Sequence, residues 1–249
     1  MTHLLEDSGT KTLSELAHTR LLVAFDFDGT LAPIVPDRER AEMRPDTRRL
    51  VEQVCSLYPC AVISGRSRSD VEHRVGGTGI QHVVGNHGIE PCSRMAQFER
   101  DSGEAYQRLM ELLGNRQDID IENKRYSLAV HYRRSPHRAD ARRVIRAAIK
   151  ELTQRVRVVP GKLVFNVVPA EAPNKGNALL QVMNAEEVEH ALYIGDDVTD
   201  EDAFRLGPSE HVTSVRVGPS RSTAAEYFLS DQHEVDSVLE QLARFRSAA

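Results

Sequence analysis

The sequence predicts an α/β fold: a doubly wound, Rossmann-like parallel-sheet core with a smaller α/β cap inserted into it. Short apolar runs at 21–25, 60–63 and 191–194 are rich in β-forming residues and indicate buried strands. Polar residues follow each run, as they do at the carboxyl edge of an open α/β sheet, where ligands bind. Between these runs, residues 94–168 carry a different, α+β pattern.

Length, charge and cysteine content exclude several classes of protein. The chain has 249 residues, enough for one large domain or a domain with a smaller companion, and a net charge of −5. Nucleic-acid binding is disfavoured because there is no overall basic field. The three cysteines form no disulfide pattern, which fits a reducing compartment. Without a visible secretory signal or a membrane-length apolar run, we expect a cytoplasmic protein with no membrane partner. A monomer is a separate expectation, which these features do not establish.

The first candidate site follows the strand at 21–25. Residues 1–20 carry a weak helical pattern, and the strand then ends at Asp26-Phe27-Asp28-Gly29-Thr30. Asp-Gly is common in exposed turns, but a turn does not explain a carboxylate directly after a core strand, where burial without a partner is unfavourable. Asp26 and Asp28 would share one face of an extended chain. Their repulsion predicts a cation between them, and Mg²⁺ suits oxygen ligands.

The second strand brings a hydroxyl to the same edge. A helix that begins at Pro45 precedes the strand at 60–63, and Ser64 follows it. Ser64 could cap the next helix, bind phosphate at that helix N-terminus, or do both. A further short strand at 80–84 leads into Gly85-Asn86-His87-Gly88, where spacing alone assigns no role to the histidine.

The middle segment is interpreted as an inserted cap because it lies between two halves of a parallel-sheet domain. The predicted core therefore consists of residues 1–93 and 169–249, and the cap of residues 94–168. The predicted cap elements are a helix that ends at Gly114, strands at 119–124 and 126–133, a basic amphipathic helix at 139–152, and a hairpin at 156–168 that turns across Pro160-Gly161.

The last third of the chain supplies a cation and a run of acids. Lys175 begins a helix after a proline-rich linker, where its charge is placed to bind an anion. Gly195-Asp196-Asp197 follows the strand at 191–194. An acid-rich helix N-terminus would suit the helix dipole, but a strand followed by Gly-Asp-Asp is better explained by a metal site. The last strand is predicted at 215–218, and an amphipathic helix at 234–245.

The ordered set of motifs resembles the haloacid dehalogenase superfamily. Within it, the run from Gly85 to Glu90 and the run from Gly195 to Phe204 resemble trehalose-6-phosphate phosphatases. The resemblance implies that Asp26 is the nucleophile, which forms an aspartyl-phosphate, and that Asp28 is the acid/base. It also implies that Lys175 neutralises Asp26 and the phosphate. The implied cofactor is Mg²⁺, held by Asp26, Asp196 and the backbone carbonyl of Asp28, while Asp197 and Asp200 orient waters or Lys175.

The resemblance further implies a set of substrate-binding residues. In the core these are Ser64, Gly65, Arg66, Asn86, His87 and Gly88, and in the cap Glu122, Lys124, Arg133 and Asn166. The cap residues Glu122, Lys124 and Arg133 match those that bind sugar hydroxyls. Asn166 stands where many relatives have a glutamate, and asparagine lacks the charge-assisted strength of a carboxylate.

The expected function is hydrolysis of a small-molecule sugar phosphate, trehalose 6-phosphate. One alternative is a phosphatase of the same chemistry that acts on another sugar or glycoside phosphate. A second is a silent regulatory subunit of a trehalose-synthesis assembly. Against the silent subunit, the reactive set is complete, and a silent module would be expected to have lost at least one member. That set is Asp26, Asp28, Ser64, Lys175 and Asp196.

Overall fold

The chain forms two units in its structure, a computed structural model that describes residues 1–161, 163–220 and 222–247. The larger unit comprises Met1–Gly88 and Pro173–Ala249, and the smaller unit is Ile89–Ala172. The smaller unit therefore extends a few residues beyond both ends of the predicted segment 94–168.

Strands and helices alternate along most of the chain. The strands are β1 (Thr2–His3), β2 (Leu21–Phe25), β3 (Cys60–Ile63), β4 (His82–Val84), β5 (Asp120–Asn123), β6 (Leu128–His131), β7 (Val156–Gly161), β8 (Val164–Pro169), β9 (His190–Gly195), β10 (Val212–Val217) and β11 (Tyr227–Leu229). The helices are α1 (Asp7–Ala17), α2 (Pro45–Cys55), α3 (Arg68–Val75), α4 (Met95–Leu113), α5 (Arg138–Lys150), α6 (Lys175–Ala185), α7 (Glu201–Phe204) and α8 (Glu234–Ser247). Within the described residues, none of these helices combines the length and apolar character needed to cross a membrane.

The larger unit contains a seven-stranded parallel sheet in the order β1-β11-β10-β9-β2-β3-β4. Along β2, Leu21, Val23 and Phe25 enter one apolar core, and Leu22 and Ala24 enter another on the opposite face. Helices α1, α2 and α8 line the first core, and α6 and α7 line the second. Because helices cover both faces, the central strands are apolar throughout. The predicted doubly wound α/β fold is confirmed.

The smaller unit is an antiparallel sheet of four strands in the order β5-β6-β8-β7. Leu109 of α4, Ile145 of α5 and Phe165 of β8 belong to one buried cluster, so both helices pack on one face of this sheet. The other face carries alternate residues, including Glu122, Ala129 and Asn166, which lie in one row across β5, β6 and β8. Period-two alternation thus divides a core face from a second face.

The sequence interpretation misses two short strands of the larger sheet. Residues 215–218 are predicted as the last strand, but β11 follows β10, pairs with it and pairs on its other side with β1. Strands of two or three residues have too little sequence to show a periodicity. They form here because parallel neighbours supply their hydrogen bonds, which is information that lies elsewhere in the chain.

The predicted turn across Pro160-Gly161 is wrong. Both residues belong to β7, and Gly161 pairs with Val164, so the chain turns only after Gly161. A proline fits there because β7 is an edge strand, where a missing backbone donor breaks no ladder. Leu163, on the turn, has a φ of 64°, and Lys162 lies outside the described residues.

Helix α8 should contribute strongly to stability because Leu239 is fully buried in the core that α8 shares with α1 and α2. We expect Leu239→Ala to lower the free energy of unfolding by about 2–5 kcal/mol through lost burial and a residual cavity. Chemical denaturation measures this. Glu240→Ala, one residue on and exposed, is the control and should change stability by less than about 0.5 kcal/mol. Equal effects of the two substitutions would contradict the assigned packing of α8.

Candidate active site

The carboxyl ends of three neighbouring strands carry polar side chains. Asp26 directly follows β2, Ser64 follows β3, and Asp196 follows β9, and these strands lie side by side as β9-β2-β3. Register supports the same placement, because Phe25 pairs with both Val62 and Ile194. The parallel sheet therefore gathers residues that are far apart in sequence along one edge.

A buried lysine joins two of the acids. The Lys175 ammonium lies 3.0 Å from Asp26 Oδ2 and donates a hydrogen bond to Asp200 Oδ1 at 2.8 Å. Asp26 Oδ1 accepts a hydrogen bond from the backbone N–H of Phe27 at 2.7 Å. Lys175 is 1% exposed and Asp26 5% exposed. Lys175, the first residue of α6, therefore places its ammonium group beside the carboxylate of Asp26, the first residue after β2.

Asp200 is held by three donors. Besides Lys175, the Tyr193 hydroxyl donates to Oδ1 at 2.7 Å and the Asp197 backbone N–H donates to Oδ2 at 2.8 Å. Asp200 is fully buried. Sequence reasoning did not select Tyr193, since it lies in the apolar run of β9 and resembles any core residue. The available sequence signal was a tyrosine in an otherwise apolar strand, shortly before an acid-rich turn, because a buried tyrosine hydroxyl usually needs a hydrogen-bond partner.

Burial raises the pKa of Asp26 well above its ordinary value. Lys175 lowers that pKa, whereas the carboxylates of Asp200 and Asp196 raise it further. Burial by itself would lower the pKa of Lys175, but Asp200 and Asp26 outweigh it, so the net shift is upward. Burial, with Asp200 and Asp197, raises the pKa of Asp196 to about 8. These shifts share one cause, an excess of acids over bases in a poorly solvated space.

The same acids form a candidate cation site. Asp26, Asp196 and Asp200 each offer a carboxylate oxygen, and these oxygens lie within 4.8 Å of one another. The buried Oδ1 of Asp196 has no hydrogen-bond partner among the described residues. Asp200 already accepts three hydrogen bonds, which leaves Asp26 and Asp196 with free coordinating capacity. An all-oxygen set with an orphaned carboxylate oxygen fits a hard divalent cation such as Mg²⁺.

Arg216 fixes the backbone that carries Asp196. Its guanidinium donates to the carbonyl oxygen of Asp197 at 3.2 Å and to that of Asp196. Glu201 Oε1 lies 3.6 Å from Arg216 Nη1, and Glu201 Oε2 accepts from the Ala224 N–H at 2.8 Å. The sequence places Arg216 in the last predicted strand, at 215–218, and assigns it no role. Its position two strands from β2 becomes visible only in the sheet order.

Asp28 is paired with Arg66. The guanidinium donates from Nε to Asp28 Oδ2 at 2.6 Å and from Nη2 to Oδ1 at 2.7 Å. Arg66 is 9% exposed, and Nη1 donates to Asp70 Oδ2 at 2.7 Å. The resemblance implies a substrate contact for Arg66, and in the structure its donors face two carboxylates of the chain.

Ser64 and the Asn86–Gly88 turn are joined by backbone hydrogen bonds. The N–H of His87 donates to the carbonyl of Ser64 at 2.8 Å, and the N–H of Asn86 donates to that of Arg66 at 2.7 Å. A Cβ at Gly65 would overlap the His87 imidazole. Gly88, with a φ of 111°, approaches the carbonyl of Asn174 so closely that a side chain there would clash. These glycines therefore hold the turn against the residues that precede α3 and α6.

The alternative in which Ser64 caps helix α3 is wrong. The cap is Ser67, whose hydroxyl accepts from the Asp70 N–H at 3.3 Å. Ser64 is buried, and its hydroxyl oxygen accepts from the Arg66 N–H at 3.2 Å.

Non-glycine residues with positive φ, Asn86 at 49° and His87 at 61°, follow β4. Such backbone strain concentrates at functional sites, where the surrounding structure holds it in place.

The smaller unit brings some of the predicted sugar-binding residues together and separates others. Glu122 and Asn166 share one face of the sheet, one strand apart. Lys124 lies in the turn between β5 and β6, whereas Arg133 is exposed in the turn beyond the other end of that hairpin. His131 was not selected from the sequence, yet its Nε2 lies 3.1 Å from Glu122 Oε2.

This chain has a parallel-sheet unit, a smaller inserted unit, and a buried carboxylate-lysine centre at the carboxyl edge of the sheet. Together these features are typical of the capped phosphatases of the haloacid dehalogenase class. A family model described as Trehalose-phosphatase matches residues 24–233, most of the chain. The chain therefore belongs to the trehalose-phosphatase family.

Individual relatives agree with this assignment. The trehalose-phosphate phosphatase of Mycobacterium tuberculosis (strain ATCC 25618 / H37Rv) is 33% identical over 89% of this chain and 61% of its own length. The probable trehalose-phosphate phosphatase 9 of Oryza sativa subsp. japonica is 32% identical over 92% of this chain and 71% of its own length. The C-terminal domain of the C. albicans trehalose-6-phosphate phosphatase superposes with a TM-score of 0.77 at 25% identity, covering 98% of this chain and 99% of that domain. The chain spans 61% to 62% of the length of the mycobacterial relatives.

The raised pKa of Asp196 predicts how pH and metal affect stability. Because the pKa of Asp196 in the folded protein, about 8, lies above its ordinary value of 3.8, this group stabilises the metal-free protein below pH 4 and loses that contribution as pH rises towards 8. We expect Asp196→Asn to stabilise the metal-free protein at pH 8, by on the order of 1 kcal/mol. Mg²⁺ should raise the melting temperature of the wild type, more at pH 8 than at pH 6, and that of the variant much less.

Asp46→Asn is the matched control, because Asp46 is an exposed carboxylate in the first turn of α2. It should leave the response to Mg²⁺ unchanged. Thermal melts with and without Mg²⁺ at both pH values decide the matter. A Mg²⁺ shift that survives Asp196→Asn in full would place the cation elsewhere.

Proposed function

We propose that this chain is a Mg²⁺-dependent phosphatase that hydrolyses trehalose 6-phosphate to trehalose and phosphate through an aspartyl-phosphate. The observation that carries the proposal is the buried Asp26–Lys175–Asp200 arrangement in a chain of the trehalose-phosphatase family. We propose that the smaller unit is the cap that selects the sugar. Free thiols at all three cysteines support a cytoplasmic location.

In the first half-reaction, an Asp26 carboxylate oxygen attacks phosphorus and forms a P–O bond. The bond between phosphorus and the sugar oxygen breaks, and Asp28 gives its proton to that oxygen as trehalose leaves. Lys175, 3.0 Å from Asp26, offsets the negative charge that the carboxylate and the phosphate bring together. Bound Mg²⁺, held by Asp26, Asp196 and the backbone carbonyl of Asp28, would supply further positive charge for the phosphate oxygens.

In the second half-reaction, a water oxygen attacks the phosphorus of the aspartyl-phosphate. Asp28, now ionised, takes the proton of that water, and the bond between phosphorus and Asp26 breaks. Phosphate leaves, and both aspartates return to their starting protonation states. A carboxylate nucleophile thereby splits one difficult displacement into two easier ones.

The choice of sugar rests on the smaller unit. Glu122 and Asn166 face the same way on its sheet, and Lys124 follows Glu122 in the adjoining turn, which supports binding of a polyhydroxyl ligand. One observation favours a second candidate, a phosphatase for another glycoside phosphate. The family resemblance implies a glutamate at the position of Asn166 in many relatives, and a neutral amide binds sugar hydroxyls less strongly than a carboxylate.

The nucleophile is tested by Asp26→Asn. Because an amide cannot form the acyl-phosphate, we expect turnover to fall by about a thousandfold or more while the protein stays folded. Acid quenching followed by mass spectrometry should detect a phosphorylated wild type and none in the variant. Asp46→Asn is the control, with unchanged turnover. Steady phosphate release by an Asn variant verified as free of deamidation would rule out Asp26 as the nucleophile.

The substrate is tested by Glu122→Ala. On trehalose 6-phosphate we expect kcat/KM to fall about tenfold or more, because sugar hydroxyls lose a charged acceptor worth roughly 1–3 kcal/mol. On p-nitrophenyl phosphate, which offers no sugar hydroxyls, the rate should be nearly unchanged. Glu111→Ala, an exposed carboxylate on α4, is the control and should affect neither substrate.

Equal losses on both substrates for Glu122→Ala would instead indicate a role in folding of the smaller unit. Asn166→Glu separates the two candidate functions. With trehalose 6-phosphate as the substrate, the added carboxylate should be tolerated or helpful. A wild type that is inactive on trehalose 6-phosphate but hydrolyses another glycoside phosphate would establish the second candidate.

A further inference from the structure

We infer that Arg66 is a positioning residue that orients the carboxylate of Asp28, and that Asp70 in turn orients Arg66. The inference rests on the proposed function, in which Asp28 exchanges protons with the leaving sugar and with water. It changes the role of Arg66 from the substrate contact that its motif implies to an internal support for the acid/base residue.

All three guanidinium nitrogens of Arg66 are engaged within the larger unit. Nε and Nη2 bind the two oxygens of Asp28 at 2.6 and 2.7 Å, and Nη1 binds Asp70 at 2.7 Å. Nη2 also donates to the carbonyl of Arg38 at 2.6 Å. The guanidinium lies 5.7 Å from the centre of the Phe27 ring. These hydrogen bonds use four of the five guanidinium N–H donors, and Arg66 is 9% exposed, so at most one donor is left for a substrate.

The bidentate geometry determines the orientation of Asp28. Two parallel N–H···O hydrogen bonds fix both the position and the plane of a carboxylate, whereas one hydrogen bond leaves it free to rotate. The Asp28 side chain is 39% exposed, so solvent would not hold it in one rotamer. An acid/base group must reach the leaving oxygen and later the attacking water, and small misplacements of such groups are costly.

Asp70 holds Arg66 from the far side. It lies four residues after Arg66 and binds Arg74, one turn further along α3, through Oδ1 at 2.9 Å. The Arg74 side chain is 7% exposed and also donates to the carbonyls of Ala41 and Glu39. Asp70 therefore sits between two buried arginines. Its charge and its two oxygens set the direction of the guanidinium that faces Asp28.

The test uses two variants, Arg66→Lys and Asp70→Asn. The control is Glu72→Gln, which lies on α3 like Asp70 and whose carboxylate pairs with Arg68 at the surface. Arg66→Lys keeps the positive charge but removes the planar guanidinium that donates two hydrogen bonds to Asp28. Steady-state kcat and KM are measured on trehalose 6-phosphate. On p-nitrophenyl phosphate, rapid mixing measures the first turnover and the following steady rate separately, and thermal melts confirm that each variant is folded.

We expect Arg66→Lys and Asp70→Asn to lower kcat on trehalose 6-phosphate about tenfold or more with KM changed less than about threefold. On p-nitrophenyl phosphate the first turnover should stay nearly unchanged, because p-nitrophenolate leaves without a proton. The steady rate should fall about tenfold, since hydrolysis of the aspartyl-phosphate still needs an oriented Asp28. A burst of nitrophenol would then precede a slow steady phase. Glu72→Gln should match the wild type.

A raised KM with unchanged kcat in Arg66→Lys would overturn the inference and assign Arg66 to substrate binding. Wild-type behaviour of both variants would overturn it as well. If Asp70→Asn does not fold, Arg66→Lys alone decides. A wild type that hydrolyses p-nitrophenyl phosphate but not trehalose 6-phosphate would overturn the proposed substrate only, because the burst on the aryl ester still tests Arg66.

Discussion

The buried charge of Lys175 is the constraint on which the site depends. An isolated ammonium group in a protein interior is strongly unfavourable, so Lys175 can be 1% exposed only because Asp26 and Asp200 meet it. Lys175 begins α6, whereas Asp26 follows β2 and Asp200 precedes α7. The pairing therefore couples three elements of the larger unit, and loss of any partner would leave a buried charge uncompensated.

The charges around Lys175 do not balance. Asp26, Asp196 and Asp200 contribute three acids, and Lys175 is the base that lies among them. The raised pKa values of Asp26 and Asp196 express that excess, since burial and the neighbouring carboxylates disfavour the charged form of each group. A phosphate ester would add more negative charge to the same space. This excess of negative charge is the physical reason for including a divalent cation in the proposed function.

How much of this site the sequence predicts depends on whether the information is local. Asp26, Ser64 and Asp196 were predictable because each follows a strongly apolar strand, and a parallel sheet places such residues along one edge. Which side chains pair with each other was not predictable from the sequence. The partner of Arg66 is 38 residues away, and nothing in Ser64-Gly65-Arg66 tells which way the guanidinium points. The motif alone suggests a ligand, whereas the tertiary structure supplies Asp28.

The same limit explains the errors in the fold. Strands β1 and β11 are two and three residues long, too short for a periodic pattern, and they exist because each has a parallel neighbour. The intrinsic preference of Pro160 favours a turn, but an edge strand tolerates a residue without a backbone donor. In both cases the position within the sheet outweighs the local propensity of the residues.

Two arginines show how the edge of the sheet accommodates so many acids. Backbone carbonyls at the carboxyl ends of parallel strands already present partial negative charge, and carboxylates placed beside them add to it. Arg216 donates to the carbonyls of Asp196 and Asp197, and Arg66 donates to Asp28 and to the carbonyl of Arg38. Each guanidinium thus satisfies a loop carbonyl and offsets nearby acid at the same time. A lysine, with its single charged atom, could not hold a planar carboxylate and a backbone carbonyl in this way, so the rigidity of the acid-bearing loops follows from the shape of arginine as well as its charge.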